Sequence, residues 1–92
     1  MDNIHNDLNE FLSIKIIQTG DIIKISLSLT NLNKNFNEIY LSLLKELKLK
    51  QKDTYLSNDN GKMVGEIDMV LSLEEITKKF GNKLKLYYEK II

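Results

Sequence analysis

The stretch LSIKIIQTGDIIKISLSL, residues 12–29, decides the fold, because Thr19-Gly20-Asp21 divides it into two runs that alternate apolar and polar residues. The second run sets aliphatic residues on one face against polar residues on the other: Ile23, Ile25, Leu27 and Leu29 against Lys24, Ser26 and Ser28. A period of two is typical of a half-buried β-strand, and glycine can take the positive φ that a hairpin turn requires. The stretch therefore predicts a β-hairpin.

The first run predicts a strand whose two faces differ in the same way. Leu12, Ile14 and Ile16 would point into the core, and Lys15 would point outward. Ile17 adds an apolar side chain to the outward face. This strand would therefore expose both a positive charge and an aliphatic group.

The middle of the chain predicts a helix over Asn35 to Leu49, after a loop over residues 30–35. Asn35 is a residue type that caps helices. Apolar residues recur at the spacing of one buried helical face: Phe36, Ile39, Tyr40, Leu43 and Leu47. Leu41 falls on the opposite side of the helix, where it is a secondary candidate for contact with a partner.

The C-terminal third begins with a predicted second hairpin. Residues 54–57 and 62–64 are its strands, and Asn58-Asp59-Asn60-Gly61 is the turn between them. The sequence Ser-Leu-Glu-Glu from Ser72 onward forms a capping box, and Gly81 would close a helix of about two turns.

A last strand is predicted over Lys83 to Glu89. Its alternation divides six residues between the two faces: Leu84, Leu86 and Tyr88 inward, and Lys83, Lys85 and Tyr87 outward. One face would complete the core, and the other would expose lysines beside an aromatic ring.

Composition limits the class of protein. The chain has 92 residues, enough for one domain, which we assign to residues 11–92 after a flexible N-terminal arm over residues 1–10. Thirteen lysines balance thirteen acids, so the strong positive field of a general nucleic-acid binder is absent. No apolar run exceeds three residues, which predicts neither a membrane partner nor a secretory signal, and the expected location is cytoplasmic. Arginine and cysteine are missing, while lysine, asparagine, isoleucine and leucine dominate, as an AT-rich genome would favour.

No catalytic or metal-binding constellation is recognisable. His5, the single histidine, falls in the arm, and no glycine-rich phosphate loop occurs. The acids gather only at Glu74-Glu75 and around Asp59, Glu66 and Asp68, where helix capping and solvation explain them. We therefore expect neither an enzyme nor a cofactor.

The predicted order β, β, α, β, β, short helix, β resembles the ubiquitin-like β-grasp superfamily. The residues that carry the resemblance are Ile14-Lys15-Ile16, Thr19-Gly20, Tyr55-Leu56, Asn60-Gly61-Lys62, Leu71-Ser72-Leu73 and Leu84-Lys85-Leu86. It implies an α+β fold in which a mixed sheet of four to five strands packs on one long helix, with a second short helix. It also implies that the first and last strands are neighbours.

On that arrangement, the outward face of the sheet is the candidate partner-binding site. Its residues are Lys15, Ile17, Lys83, Lys85 and Tyr87, with Lys24 beside them, and Asp59 is a secondary candidate. Such a surface implies a protein partner, anchored on the apolar groups and guided by the lysines.

The chain also resembles one branch of the superfamily, the Phox and Bem type interaction domains. That resemblance implies weak head-to-tail self-association, in which Lys15 of one copy meets an acidic loop of the next. The loop departs from the pattern, because Asn58, Asn60 and Lys62 leave Asp59 as its acid.

Two alternatives stay open. Ubiquitin-like modifiers and sulfur carriers use a Gly-Gly tail, whereas this sequence ends Glu89-Lys90-Ile91-Ile92, so a modifier or carrier role requires a tail that lies outside it. A small inhibitor or immunity-type protein is the other alternative, for which a cognate enzyme would be the partner.

Overall fold

The computed structural model describes residues 10–89, which form a mixed four-stranded sheet and three α-helices. The strands are β1 (Phe11–Ile16), β2 (Ile22–Ser26), β3 (Thr54–Asn58) and β4 (Lys83–Tyr88), and the helices are α1 (Leu29–Leu32), α2 (Phe36–Leu47) and α3 (Leu73–Phe80). Two 3-10 helices cover Gln51–Asp53 and Glu66–Val70. The predicted arm lies outside the described residues except for Glu10, and His5 lies outside them as well.

The strand order is β2-β1-β4-β3, with β1 and β4 parallel in the centre and an antiparallel strand on each side. The predicted α+β class and the pairing of the first strand with the last are therefore confirmed. Within residues 10–89, no helix has the length and apolar character needed to cross a membrane.

The core lies between the inner face of the sheet and the helices. The fully buried aliphatic side chains of β1 and β4 alternate along the strands as predicted: Leu12, Ile14, Leu84 and Leu86. Leu56 of β3 is buried with them. From α2, Phe36 and Tyr40 enter this core with their rings stacked, 6.0 Å between centroids. Side chains of this size contribute about 1.5 to 3 kcal/mol each when fully buried.

The predicted face of α2 is displaced slightly around the helix. Phe36, Tyr40 and Leu43 are buried as expected, but Leu44 is buried too, whereas Ile39 and Leu47 are only partly covered. The apolar stripe is therefore wider than one line of residues, as for a helix packed on a sheet rather than on one other helix.

The first hairpin is confirmed, but its second strand ends earlier than the alternation predicts. Leu29 begins α1 and is 87% exposed, so its assignment to the core face is wrong, as is a loop over all of residues 30–35. The chain turns after Ser26, where Asn31 Nδ2 donates to the carbonyl oxygen of Ser26 at 2.9 Å. This side-chain bond gives the last carbonyl group of β2 a hydrogen-bond partner.

Of the two strands predicted for the second hairpin, only the first is a strand in the structure. β3 is a strand, but residues 62–64 meet it through an isolated bridge between Ser57 and Met63 rather than as a fifth strand. Asn58 explains the compact turn, because its Oδ1 accepts from the backbone N–H of Asn60 at 3.0 Å and of Lys62 at 2.8 Å. After Val64 the chain leaves the sheet edge.

The predicted short helix is confirmed as α3. Ser72 Oγ accepts from the N–H of Glu75 at 3.2 Å, and Glu75 Oε1 accepts from the N–H of Ser72 at 3.0 Å. Gly81 ends the helix with a φ of 89°, a conformation that favours glycine. This cap directs the chain into β4.

Candidate partner-binding site

The face of the sheet opposite the core, here called the outer face, carries the predicted site residues. Register brings Lys15 of β1 directly opposite Lys85 of β4, and places Ser13 between Lys24 of β2 and Lys83 of β4. Three separate sequence segments thus contribute to one surface. The structure brings together the lysines that alternation assigned to this face.

An apolar row borders these lysines on the outer face. Ile17 follows β1 and donates its N–H to Leu86 O at 3.0 Å, which seats it next to Tyr87. Tyr87 is in turn the register partner of Tyr55 in β3. The exposed fractions are 39% for Ile17, 38% for Tyr87 and 46% for Tyr55, so all three present accessible surface.

Tyr55 was missed as a site residue by the sequence analysis. Tyr55 points outward because its neighbour Leu56 is buried in the core. In the sequence, the aliphatic Leu56 next to Tyr55 was the signal that could have indicated this. Its contact with Tyr87 depends on β3 pairing with β4, however, and alternation within a single strand does not contain that information.

Within residues 10–89, the acidic groups that contact this surface, Asp59 and Glu89, lie at its edges. Asp59 Oδ1 lies 3.8 Å from Lys85 Nζ, and Tyr55 donates its hydroxyl to Glu89 Oε1 at 3.4 Å. Both acids follow or adjoin strand ends, and the lysine–acid pair is exposed, so it contributes little to stability. Asp59, one of the two secondary candidates, therefore belongs to the rim of the outer face.

Leu41, the other secondary candidate, is not part of this surface. It is exposed on α2, which lies on the core side of the sheet. Any contact through Leu41 would be a separate site.

Asp68 has a different position from the one predicted, because it is buried rather than solvated. Its Oδ1 accepts from Lys79 Nζ at 2.5 Å, and its Oδ2 accepts from the N–H of Gly65 at 2.9 Å. These bonds, first that of Lys79, hold the pKa of Asp68 below its ordinary value of 3.8. The carboxylate is therefore ionised at neutral pH, where it ties the second 3-10 helix to α3.

Tyr40 is the other group with a displaced pKa. Burial raises its pKa, and the hydrogen bond with Thr54 Oγ1 partly opposes that effect. The phenol therefore stays protonated at neutral pH and links α2 to β3. Within residues 10–89, no three histidine, cysteine or acidic side chains are grouped so that they could hold a metal ion.

A cleft of about 650 Å³ opens beside the edge strand β3, between the start of α2 and the second 3-10 helix, and Tyr55 borders both this cleft and the outer face. Its polar lining is largely engaged within the chain, since Gln51 donates to Asn37 at 3.2 Å and Asn35 donates to Val70 O at 3.3 Å. The titratable side chains of its lining are Tyr40, Lys52, Tyr55 and Glu66, and Tyr40 is hydrogen-bonded to Thr54.

Comparison with known proteins identifies the fold. The chain resembles a computationally designed protein, solved by NMR in solution, that is based on the template of human erythrocytic ubiquitin; the TM-score is 0.62 at 18% sequence identity, over 90% of this chain and 95% of that one. The fold is therefore that of ubiquitin-like β-grasp proteins. No family model matches the sequence, and no curated protein matches it.

Proposed function

We propose that this chain is a non-enzymatic protein–protein interaction module that binds another protein through the outer face of its sheet. The observation that carries the proposal is the row Ile17, Tyr87 and Tyr55, three accessible apolar groups side by side on a rigid sheet and bordered by lysines. Aromatic side chains lose little conformational entropy on binding and supply much contact area, which makes them frequent hot spots.

A non-catalytic role is supported by the way the polar groups are used. Asp68 and Tyr40, the two groups with displaced pKa values, are both bonded to neighbouring side chains and connect structural elements. A catalytic acid or base would instead need a lone pair or proton that is not already engaged within the chain.

A second copy of the chain is a weaker candidate for the partner. Head-to-tail association would need Asp59 to bind the Lys15 of another copy, but Asp59 already lies near its own Lys85. Sedimentation of the purified chain at rising concentration tests this alternative directly.

Partner capture followed by titration of variants tests the main proposal. The protein should first be used as bait, and each retained protein should then be purified and titrated by calorimetry against the wild type and Tyr87→Ala. If Tyr87 is an anchor, binding should weaken at least about 30-fold, which corresponds to about 2 kcal/mol.

Leu41→Ala is the matched control, because Leu41 is a similarly exposed apolar residue on the other side of the molecule. It should leave the affinity within about twofold of the wild type. A partner that is lost on Leu41→Ala and retained on Tyr87→Ala would move the site to α2 and refute the proposal.

A further inference from the structure

We infer that the partner of the outer face presents an acidic segment in which a carboxylate lies two residues from one apolar anchor. This inference rests on the proposed function and specifies the chemistry of what binds there. Four lysines and no acidic residue occupy the outward positions of the strands: Lys15, Lys24, Lys83 and Lys85. A chain with equal numbers of lysines and acids thus concentrates positive charge on one face.

The spacing of the two rows defines the arrangement of the ligand. The row with Lys15 and Lys85 lies two residues along the strands from the row with Ile17 and Tyr87. Residues two apart in a strand are about 7 Å apart on the same face. An extended segment of the form acid-x-apolar, laid along the strands, would place its carboxylate over the lysines and its apolar side chain on Tyr87.

Repulsion within the surface favours an anionic partner. Lys15 and Lys85 stand directly opposite each other on adjacent strands, about 5 Å apart in the backbone, and like charges in this position are destabilising. A bound carboxylate between them relieves that repulsion. Asp59 does so in part from the rim, at 3.8 Å from Lys85, and it therefore competes with an incoming acid.

A single-stranded nucleic acid would also combine aromatic stacking with lysine contacts, but the observations favour a peptide. Glu89 accepts from the hydroxyl of Tyr55, so a phosphate backbone over the tyrosines would meet a carboxylate there, and Asp59 places a second carboxylate at the opposite end of β3, beside Lys85. A peptide can place its charges selectively over the lysines, because it need not carry one on every unit.

The test titrates the isotope-labelled chain, by NMR, with three synthetic probes: the capped peptide ESLSESLSE, the charge-reversed peptide KSLSKSLSK and an oligothymidylate. We expect the acidic peptide to bind with a Kd below about 1 mM and to shift the amide signals of Lys15, Lys85 and Tyr87. Binding should weaken at least about threefold when the ionic strength rises from about 20 to 300 mM.

Single substitutions test the sign of the charge effect. Lys15→Glu should weaken binding of the acidic peptide at least about fivefold, whereas Asp59→Asn should strengthen it by about twofold. Lys34→Glu changes the net charge equally but lies in the segment before α2, away from the outer face, and should change the affinity less than twofold. The amide spectrum of each variant also shows whether it is folded.

Three results would overturn the inference: equal binding of KSLSKSLSK, tighter binding of the oligothymidylate, or no response to Lys15→Glu and to salt. The inference would also be overturned by a captured partner whose affinity falls on Tyr87→Ala but does not change with salt or with Lys15→Glu. That result would leave the proposed function intact. Loss of the Tyr87 dependence would instead refute the proposed function.

Discussion

Leu86 and Tyr87 are consecutive in β4, yet Leu86 is fully buried in the core, whereas Tyr87 is 38% exposed on the outer face. The same contrast runs along β1, where Ile14 is buried and Lys15 is exposed. On the core side, each large side chain packs against others from the same chain. On the outer face, aromatic and charged groups stay accessible, and their contacts are weak ones such as the 3.8 Å approach of Lys85 to Asp59 and the position of Lys24 Nζ 5.6 Å above the ring of Phe11.

Polar groups on the core side of the sheet also differ from those on the outer face. Among residues 10–89, no buried side-chain nitrogen or oxygen lacks a hydrogen-bond partner, and the buried Asp68 is bonded through both of its oxygens. The lysines of the outer face instead stand beside one another. The core side thus satisfies its polar groups within the chain, whereas the outer face keeps two lysines directly opposite each other.

The largest expected difference between the two faces is in their response to truncation. Leu86→Ala should lower the free energy of unfolding by about 2 to 5 kcal/mol, because it leaves a cavity in a closed core. Tyr87→Ala, one residue away, should cost about 1 kcal/mol or less. Urea denaturation of the two variants measures both values. Equal losses would show that Tyr87 serves the fold and would remove its role as a binding anchor.

Local alternation predicted both faces because the period of two depends only on the geometry of each strand. It correctly placed Leu12, Leu84 and Leu86 inward and Lys15 and Lys85 outward. The expectation that the first and last strands are neighbours came from the family resemblance instead, since the two strands are far apart in the sequence, and the structure adds that they are parallel.

The sequence-based predictions that were wrong or incomplete share one physical cause. Each depends on a contact with a residue outside the local pattern from which the prediction was made. Leu29 continues the alternation but lies past the end of β2, where a side-chain bond from Asn31 turns the chain. Asp68 has the polarity of a solvated acid, and its burial depends on Lys79, which α3 places beside it. The pairing of Tyr55 with Tyr87 likewise requires the sheet order.

The contribution of the buried Asp68 to the stability of the core side can be tested by its dependence on pH. Asp68→Asn should lower the free energy of unfolding at pH 7 by about 1 to 3 kcal/mol, because it removes a charge-assisted bond from a buried site. The lowered pKa of the folded state means that this stabilisation is present above the unfolded pKa and is lost as pH falls through the folded one. The gap between wild type and variant should therefore shrink below about pH 4.

Glu66→Gln is the control for Asp68, since it removes the same charge from the exposed first turn of the same 3-10 helix. It should change stability by no more than about 0.5 kcal/mol. Urea denaturation at pH 7, 5 and 3 compares the three proteins. A gap for Asp68→Asn that persists undiminished at pH 3 would contradict the assignment of its pKa.

The smallest expected effect is the most specific to the outer face. Lys15→Gln should raise the free energy of unfolding by about 0.2 to 1 kcal/mol at low salt, because it removes the repulsion with Lys85, and the gain should fade as salt screens the pair. Lys34→Gln, which lies off this face, should show no such gain. Thermal and urea melts at low and high ionic strength measure the effect. The same substitution should weaken binding of the acidic peptide, so one residue would act with opposite sign on folding and on recognition. A lysine that merely kept the surface solvated would not produce that pair of effects.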